Sequence, residues 1–139
     1  MTFGYRFNQK VGHQSCDDVD CPRNLPHSLT HLTFGTEFNQ SVDNLPYSLT
    51  HLTFGTEFNQ CVDNLPCSLT HLTLGHRFNK RIDNLPMSLT SLTLGFLIYQ
   101  KINNLPPNLQ KIRVYIEKMH ILDKIPFGCK VETLDERKK

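Results

Sequence analysis

One period constrains this chain more than any other feature. Leu-Pro recurs at Leu25-Pro26, Leu45-Pro46, Leu65-Pro66, Leu85-Pro86 and Leu105-Pro106, each time 20 residues on. The unit reads Leu-Pro-x-Ser-Leu-Thr-x-Leu-Thr-Phe/Leu-Gly, then Phe or Ile three residues later and Val or Ile four after that. So short a unit cannot bury its own apolar face. Units must stack, each touching its neighbours, and the product is a solenoid. Residues 1–12 form a partial repeat, because Thr2 to Val11 matches Thr33 to Val42. Residues 13–24 read as an inserted loop, 25–104 as four full repeats, and 105–139 as a degenerate repeat with a C-terminal cap or tail.

Within one unit Leu32-Thr33-Phe34 alternates as a short strand does, and the β-branched threonines favour extended backbone. Gly35 follows, with counterparts at 4, 55, 75 and 95. That position needs either a positive φ or close backbone approach. Proline after leucine holds the Leu-Pro step extended. The segment from Phe38 to Leu45 has no room for an amphipathic helix, so the return leg is polyproline-like or irregular. The expected fold is a short, mostly β, right-handed solenoid with a parallel sheet on one face. Leu and Phe, including Phe38, Phe58 and Phe78, should fill its interior. Near the C-terminus Ile112, Val114 and Ile116 continue the alternation, and Lys130-Val131-Glu132 is expected to add a last strand.

Composition narrows the function. The chain has 139 residues, 38% apolar and 20% charged, with net charge +2. It is neither disordered nor strongly basic, which argues against nucleic-acid binding. No apolar run reaches the ~20 residues of a membrane helix, so no membrane partner is expected. Five Cys cannot all pair internally. With no signal-peptide layout at the front, an intracellular, cytoplasmic location follows, with reduced thiols. Charge is uneven along the chain. Residues 25–64 carry Glu37, Asp43, Glu57 and Asp63 and no Lys or Arg, whereas residues 65–104 carry Arg77, Lys80, Arg81 and Lys101 against Asp83. Stacking turns that order into a dipole along the axis.

Phe38-Asn39-Gln40, Phe58-Asn59-Gln60 and Phe78-Asn79-Lys80, set between Leu-Pro-x-Ser-Leu-Thr-x-Leu blocks, resemble FNIP repeats, a divergent branch of the leucine-rich repeats found in social amoebae and giant viruses. The resemblance covers residues 2–11 and about 25–125. It implies leucine-rich-repeat-like coils of 20 residues and a binding scaffold, placed in the host cytoplasm if the source is viral. Glu37 stands where the general leucine-rich pattern has Asn, and Ile98-Tyr99 replaces Phe-Asn in the last full unit.

In the stacked arrangement equivalent residues form columns ~4.8 Å apart. His31, His51, His71 and Ser91 make one outward column, and Thr33, Thr53, Thr73 and Thr93 the next. These line the expected concave face and are the candidate partner-binding residues. Three His in a column suit zinc or copper, but no carboxylates stand behind them, so neither a metal site nor a cofactor is assigned. The Asn columns at 39, 59 and 79 and at 44, 64, 84 and 104, with Asp43, Asp63 and Asp83, satisfy backbone groups in turns. Cys16 to Cys21, with three Asp between them, gives a lesser alternative of metal binding in the inserted loop, although zinc normally takes four ligands. Cys61 and Cys67 are substitutions tolerated at surface positions. No phosphate loop, nucleophile elbow or carboxylate pair appears, so no catalytic residue and no enzyme is expected.

The sequence therefore describes a non-catalytic interaction scaffold that captures an unidentified protein on its repeat surface. The alternative is a truncated or vestigial repeat fragment without independent activity. The strand edge at Thr2-Phe3-Gly4 is open, and self-association through that N-terminal edge is expected.

Overall fold

A computed structural model describes residues 1–11 and 25–135. The Cys16–Cys21 segment lies outside the described residues. Six strands form one parallel sheet in chain order: β1 His31–Thr33, β2 His51–Thr53, β3 His71–Thr73, β4 Ser91–Thr93, β5 Lys111–Tyr115 and β6 Lys130–Leu134. Register follows the period, with His31 beside His51, His51 beside His71 and His71 beside Ser91. Thr2 joins by a single bridge to Thr33, so the first partial repeat forms a coil of the same stack. The architecture is the mostly β, parallel-sheet solenoid that the period predicts. Lys130–Leu134 does form the last strand, pairing with β5 over five residues.

Each coil places its apolar side chains inward. Leu52, Phe54, Phe58 and Val62 are buried, as are their counterparts in the coils beside them. Phe38, Phe58 and Phe78 are fully buried and stack at 6.1 Å between ring centroids, while Phe34 and Phe54 stack at 5.6 Å. On the outward face the His31, His51 and His71 rings stack at only 4.1 and 4.2 Å. Spacing thus narrows on the sheet face and widens towards the return leg. The coils fan, and the sheet face is the concave one.

The polar residues of the unit stitch coil to coil. Ser48, Ser68 and Ser88 each donate a hydroxyl to the carbonyl of Leu29, Leu49 and Leu69, at 2.7, 2.7 and 2.6 Å. Thr50, Thr70 and Thr90 donate to the Thr30, Thr50 and Thr70 carbonyls at 3.0–3.1 Å. The Asn8, Asn39 and Asn59 side-chain oxygens each accept the backbone N–H of the next coil, at Asn39, Asn59 and Asn79, all at 2.9 Å. Asn79 does the same for Tyr99 at 3.0 Å. This Asn column therefore serves the backbone, as its turn setting predicts, whereas in the second column Asn64 and Asn84 donate to the Asp43 and Asp63 carboxylates and Asn104 to the Asp83 carbonyl. Among the described residues no buried side-chain polar atom lacks a partner.

The repeated glycines are explained by close approach, not by positive φ, which among the described residues only Gly128 adopts. A Cβ on Gly75 would collide with the Gly55 carbonyl oxygen, and one on Gly55 with that of Gly35. The expectation for Ile116 is corrected. Ile112 and Val114 are buried, but the alternation stops there: Ile116 is exposed and opens a 3-10 helix, Ile116–Ile121. Within that helix Lys118 is buried, its Nζ lying 3.6 Å from the Tyr99 ring centroid and 5.3 Å from that of Phe96. The departure at Tyr99 supplies an aromatic platform for this cap residue.

Two stability predictions follow from the packing. Phe58→Ala should cost about 3–5 kcal/mol, the range for truncating a buried Phe. Gly75→Ala should cost at least about 1–3 kcal/mol, because backbone must move to admit the methyl group. Chemical denaturation of both variants checks these values, and a Gly75→Ala protein as stable as wild type would remove close approach as the reason for the glycine column.

Candidate functional site

The strands place the expected residues together. His31, His51, His71 and Ser91 stand in one column of the concave face, and Thr33, Thr53, Thr73 and Thr93 in the column two residues on, because a strand turns alternate side chains to the same side. The leucines between them point into the core. The first column continues beyond the expected residues through Lys111 to Lys130, and the second through Arg113 to Glu132. Glu132 bridges Lys111 at 2.7 Å and Arg113 at 3.0 Å. Hydrogen bonds from these two cations hold its carboxyl below the usual carboxylate range.

The imidazoles are oriented by the threonine before each. Thr30, Thr50 and Thr70 hydroxyl oxygens lie 2.9 Å from Nδ1 of His31, His51 and His71. The Thr50 and Thr70 hydroxyls also lie 3.1 and 3.0 Å from the Thr30 and Thr50 carbonyls, each of which already accepts two backbone N–H groups. Each ring is left with Nε2 as its free nitrogen. Burial, followed by repulsion from His71 and His31, pushes the His51 imidazole below its ordinary pKa.

The threonine column differs from the Ser48 and Thr50 columns that join coil to coil. Among the described residues, the hydroxyls of Thr33, Thr53, Thr73 and Thr93 make no hydrogen bond, although each side chain is half-buried. Beside them lies a feature that sequence reasoning missed: an open depression of about 430 Å³ floored by Gly55, Gly75 and Gly95 and bounded by Thr73, Thr93, His76, Tyr115 and Leu134. Glycine supplies the low floor. The end wall arises because β5 and β6 run on to the glycine position, at Tyr115 and Leu134. The signal was the absence of Gly at 115, where the 20-residue register would place it.

The exposed substitutions at 61 and 81 also find an account. Ser41, Cys61 and Arg81 each donate to the carboxylate two residues on, at Asp43, Asp63 and Asp83, the last two at 2.7 and 2.6 Å. Any side chain with a donor fits there. The Asp63 carboxylate at Cys61 pushes the thiol pKa up. Among the described residues no group of three His, Cys, Asp or Glu is arranged to hold a metal, and no helix is long and apolar enough to cross a membrane.

Comparison with known proteins decides the family. The FNIP Repeat family model matches three times, over residues 22–56, 38–77 and 58–97. The chain belongs to the FNIP repeat family. The crystal structure of CroV588, a circular leucine-rich-repeat protein, is similar at 38% identity and a TM-score of 0.70, over 96% of this chain and 23% of that one. The chain thus spans about a quarter of that protein's length. No curated protein matches. The repeat solenoid is consistent with a protein-interaction scaffold.

A pH dependence follows from the stacked rings. With its folded pKa below the ordinary 6.5, His51 resists protonation in the native state. The unfolded chain binds the proton first, so stability is unaffected well above 6.5 and falls as pH drops through that value. Melting temperature should therefore decline between pH ~7.5 and ~5.5. His51→Ser, which copies Ser91 in the same column, should flatten that decline. A variant whose slope equals that of wild type would show that His51 is not held below its ordinary pKa in the folded chain.

Proposed function

We propose that this FNIP solenoid is a non-catalytic scaffold that captures a protein partner on its concave face, through the columns of His31, His51, His71 and Ser91 and of Thr33, Thr53, Thr73 and Thr93. One observation carries the reading. The serines at 48, 68 and 88, the threonines at 50, 70 and 90, the Asn column and the Asp column are occupied in joining coils or bracing turns. The hydroxyls of Thr33, Thr53, Thr73 and Thr93 are not, among the described residues. A valine would satisfy the strand equally well, so the hydroxyl is surplus to the fold and available to a ligand. Binding faces of solenoids lie on such concave surfaces. Cys61 and Cys67 are free and exposed, which suits the reducing cytoplasm as the place of action.

Bulk on this face should block capture. The double variant Thr53→Tyr/Thr73→Tyr should lose, by about tenfold or more, the proteins that wild type crosslinks in cell extract, a change of about 1.4 kcal/mol in binding. Lys80→Tyr, an exposed change on the return leg, should retain them. Equal capture by all three proteins, or loss with Lys80→Tyr alone, would move the binding surface elsewhere.

A further inference from the structure

Charge on the concave face is segregated. In the columns beginning at Thr30, His31 and Thr33, strands β1 to β5 carry no carboxylate: the residues are Thr, Ser, Gln and His, with Lys111 and Arg113 on β5. Glu37, Asp43, Glu57, Asp63 and Asp83 all lie in the turns. The acidic residues of the first coils are thus kept off the very surface on which His31, His51 and His71 stand.

We propose that the column His31, His51, His71, Ser91, Lys111 and Lys130 is a docking track for an acidic, extended polypeptide, gripped more tightly as pH falls. The inference rests on the concave face being the binding surface and names the partner's chemistry. Three geometric facts support it. The strands bring these six positions into one line. The Thr50 and Thr70 hydroxyls engage Nδ1 of His51 and His71, leaving Nε2 to face a ligand. The rings stack 4.1 and 4.2 Å apart, so a proton on one raises the cost of a proton on the next unless an anion lies across them. A carboxylate accepting from protonated Nε2 supplies that anion, and binding then takes up protons.

The charges facing the three rings are few. The Met1 amino group lies 2.9 Å from the His31 carbonyl; β2 to β4 add only Thr and Ser; β5 and β6 add Lys111, Arg113, Lys130 and Glu132. Glu132 neutralises part of the cationic end, so the track is weak at neutral pH and is carried by histidine below it. A polypeptide is favoured over nucleic acid because the ring faces are covered by one another and offer no base a stacking platform.

The test titrates fluorescent oligo-aspartate of about a dozen residues into the full chain at pH ~7.5 and ~5.8 and low salt. Affinity should rise about tenfold at the lower pH, with proton uptake on binding. The rise should vanish in the triple variant H31S/H51S/H71S. Ser91 already shows that the column accepts Ser, and H31Q/H51Q/H71Q provides a second uncharged version should the first fail to fold. An unchanged affinity with pH, a rise that persists in the folded triple variant, or equally tight binding of a single-stranded oligonucleotide would overturn the proposal. Failure here, with partner capture still lost in Thr53→Tyr/Thr73→Tyr, would remove the acidic partner and leave the concave-face reading in place.

Discussion

The structure depends on one close approach: the glycine backbone of each coil against the glycine carbonyl of the coil before it. Gly35, Gly55, Gly75 and Gly95 each lie so near the preceding carbonyl that a Cβ has no room. That contact fixes where every chain leaves the sheet, and hence which residue comes next to each position in the columns. Strands of three residues hold few ladder hydrogen bonds, and alone they would specify register weakly. The glycine contact, the Ser and Thr hydroxyl bonds between coils and the Asn side-chain bonds to backbone all repeat at the same step. A slip of one residue would break all of them together.

This redundancy explains why the fold was so legible. Parallel pairing, strand position, the buried Phe column and the turn duties of Asn all follow from residues that recur unchanged, because a contact that must be made in every coil leaves its mark in every unit. The cap was less legible for the opposite reason. Tyr115 stands where the register calls for Gly, and Ile116 looks like the next inward residue of an alternating strand. In the structure β5 runs on through Tyr115, and a 3-10 helix begins where a core residue was expected. A unique segment makes each of its contacts once, and Lys118 packed over Tyr99 has no second copy to reveal it.

The candidate site was half legible. Its columns were visible as soon as the period was, but the properties that bear on function arise between residues. Nδ1 of His51 is engaged by the Thr50 hydroxyl, which also reaches a carbonyl of the preceding coil. The depression over Gly55, Gly75 and Gly95 requires both a glycine floor and the wall made by Tyr115 and Leu134 from the cap. The continuation of the histidine column into Lys111 and Lys130 depends on β6 joining the sheet, which the decayed last unit signals only faintly.

The shape of the concave face comes from side-chain volume. Backbone hydrogen bonds hold neighbouring strands at nearly constant separation, whereas rings set the spacing deeper in the coil. The Phe38, Phe58 and Phe78 column steps by 6.1 Å and the histidine column by 4.1–4.2 Å. A difference of about 2 Å across a layer roughly 10 Å deep turns each coil by about 11°, so that some thirty coils would complete a circle and this chain makes a shallow arc. Where Leu74 replaces Phe54, and Ile98 replaces Phe78, the wedge is smaller and the arc should flatten. The histidine stack lies on the narrow side of that wedge, where rings 4.1–4.2 Å apart make protonation of one felt by the next.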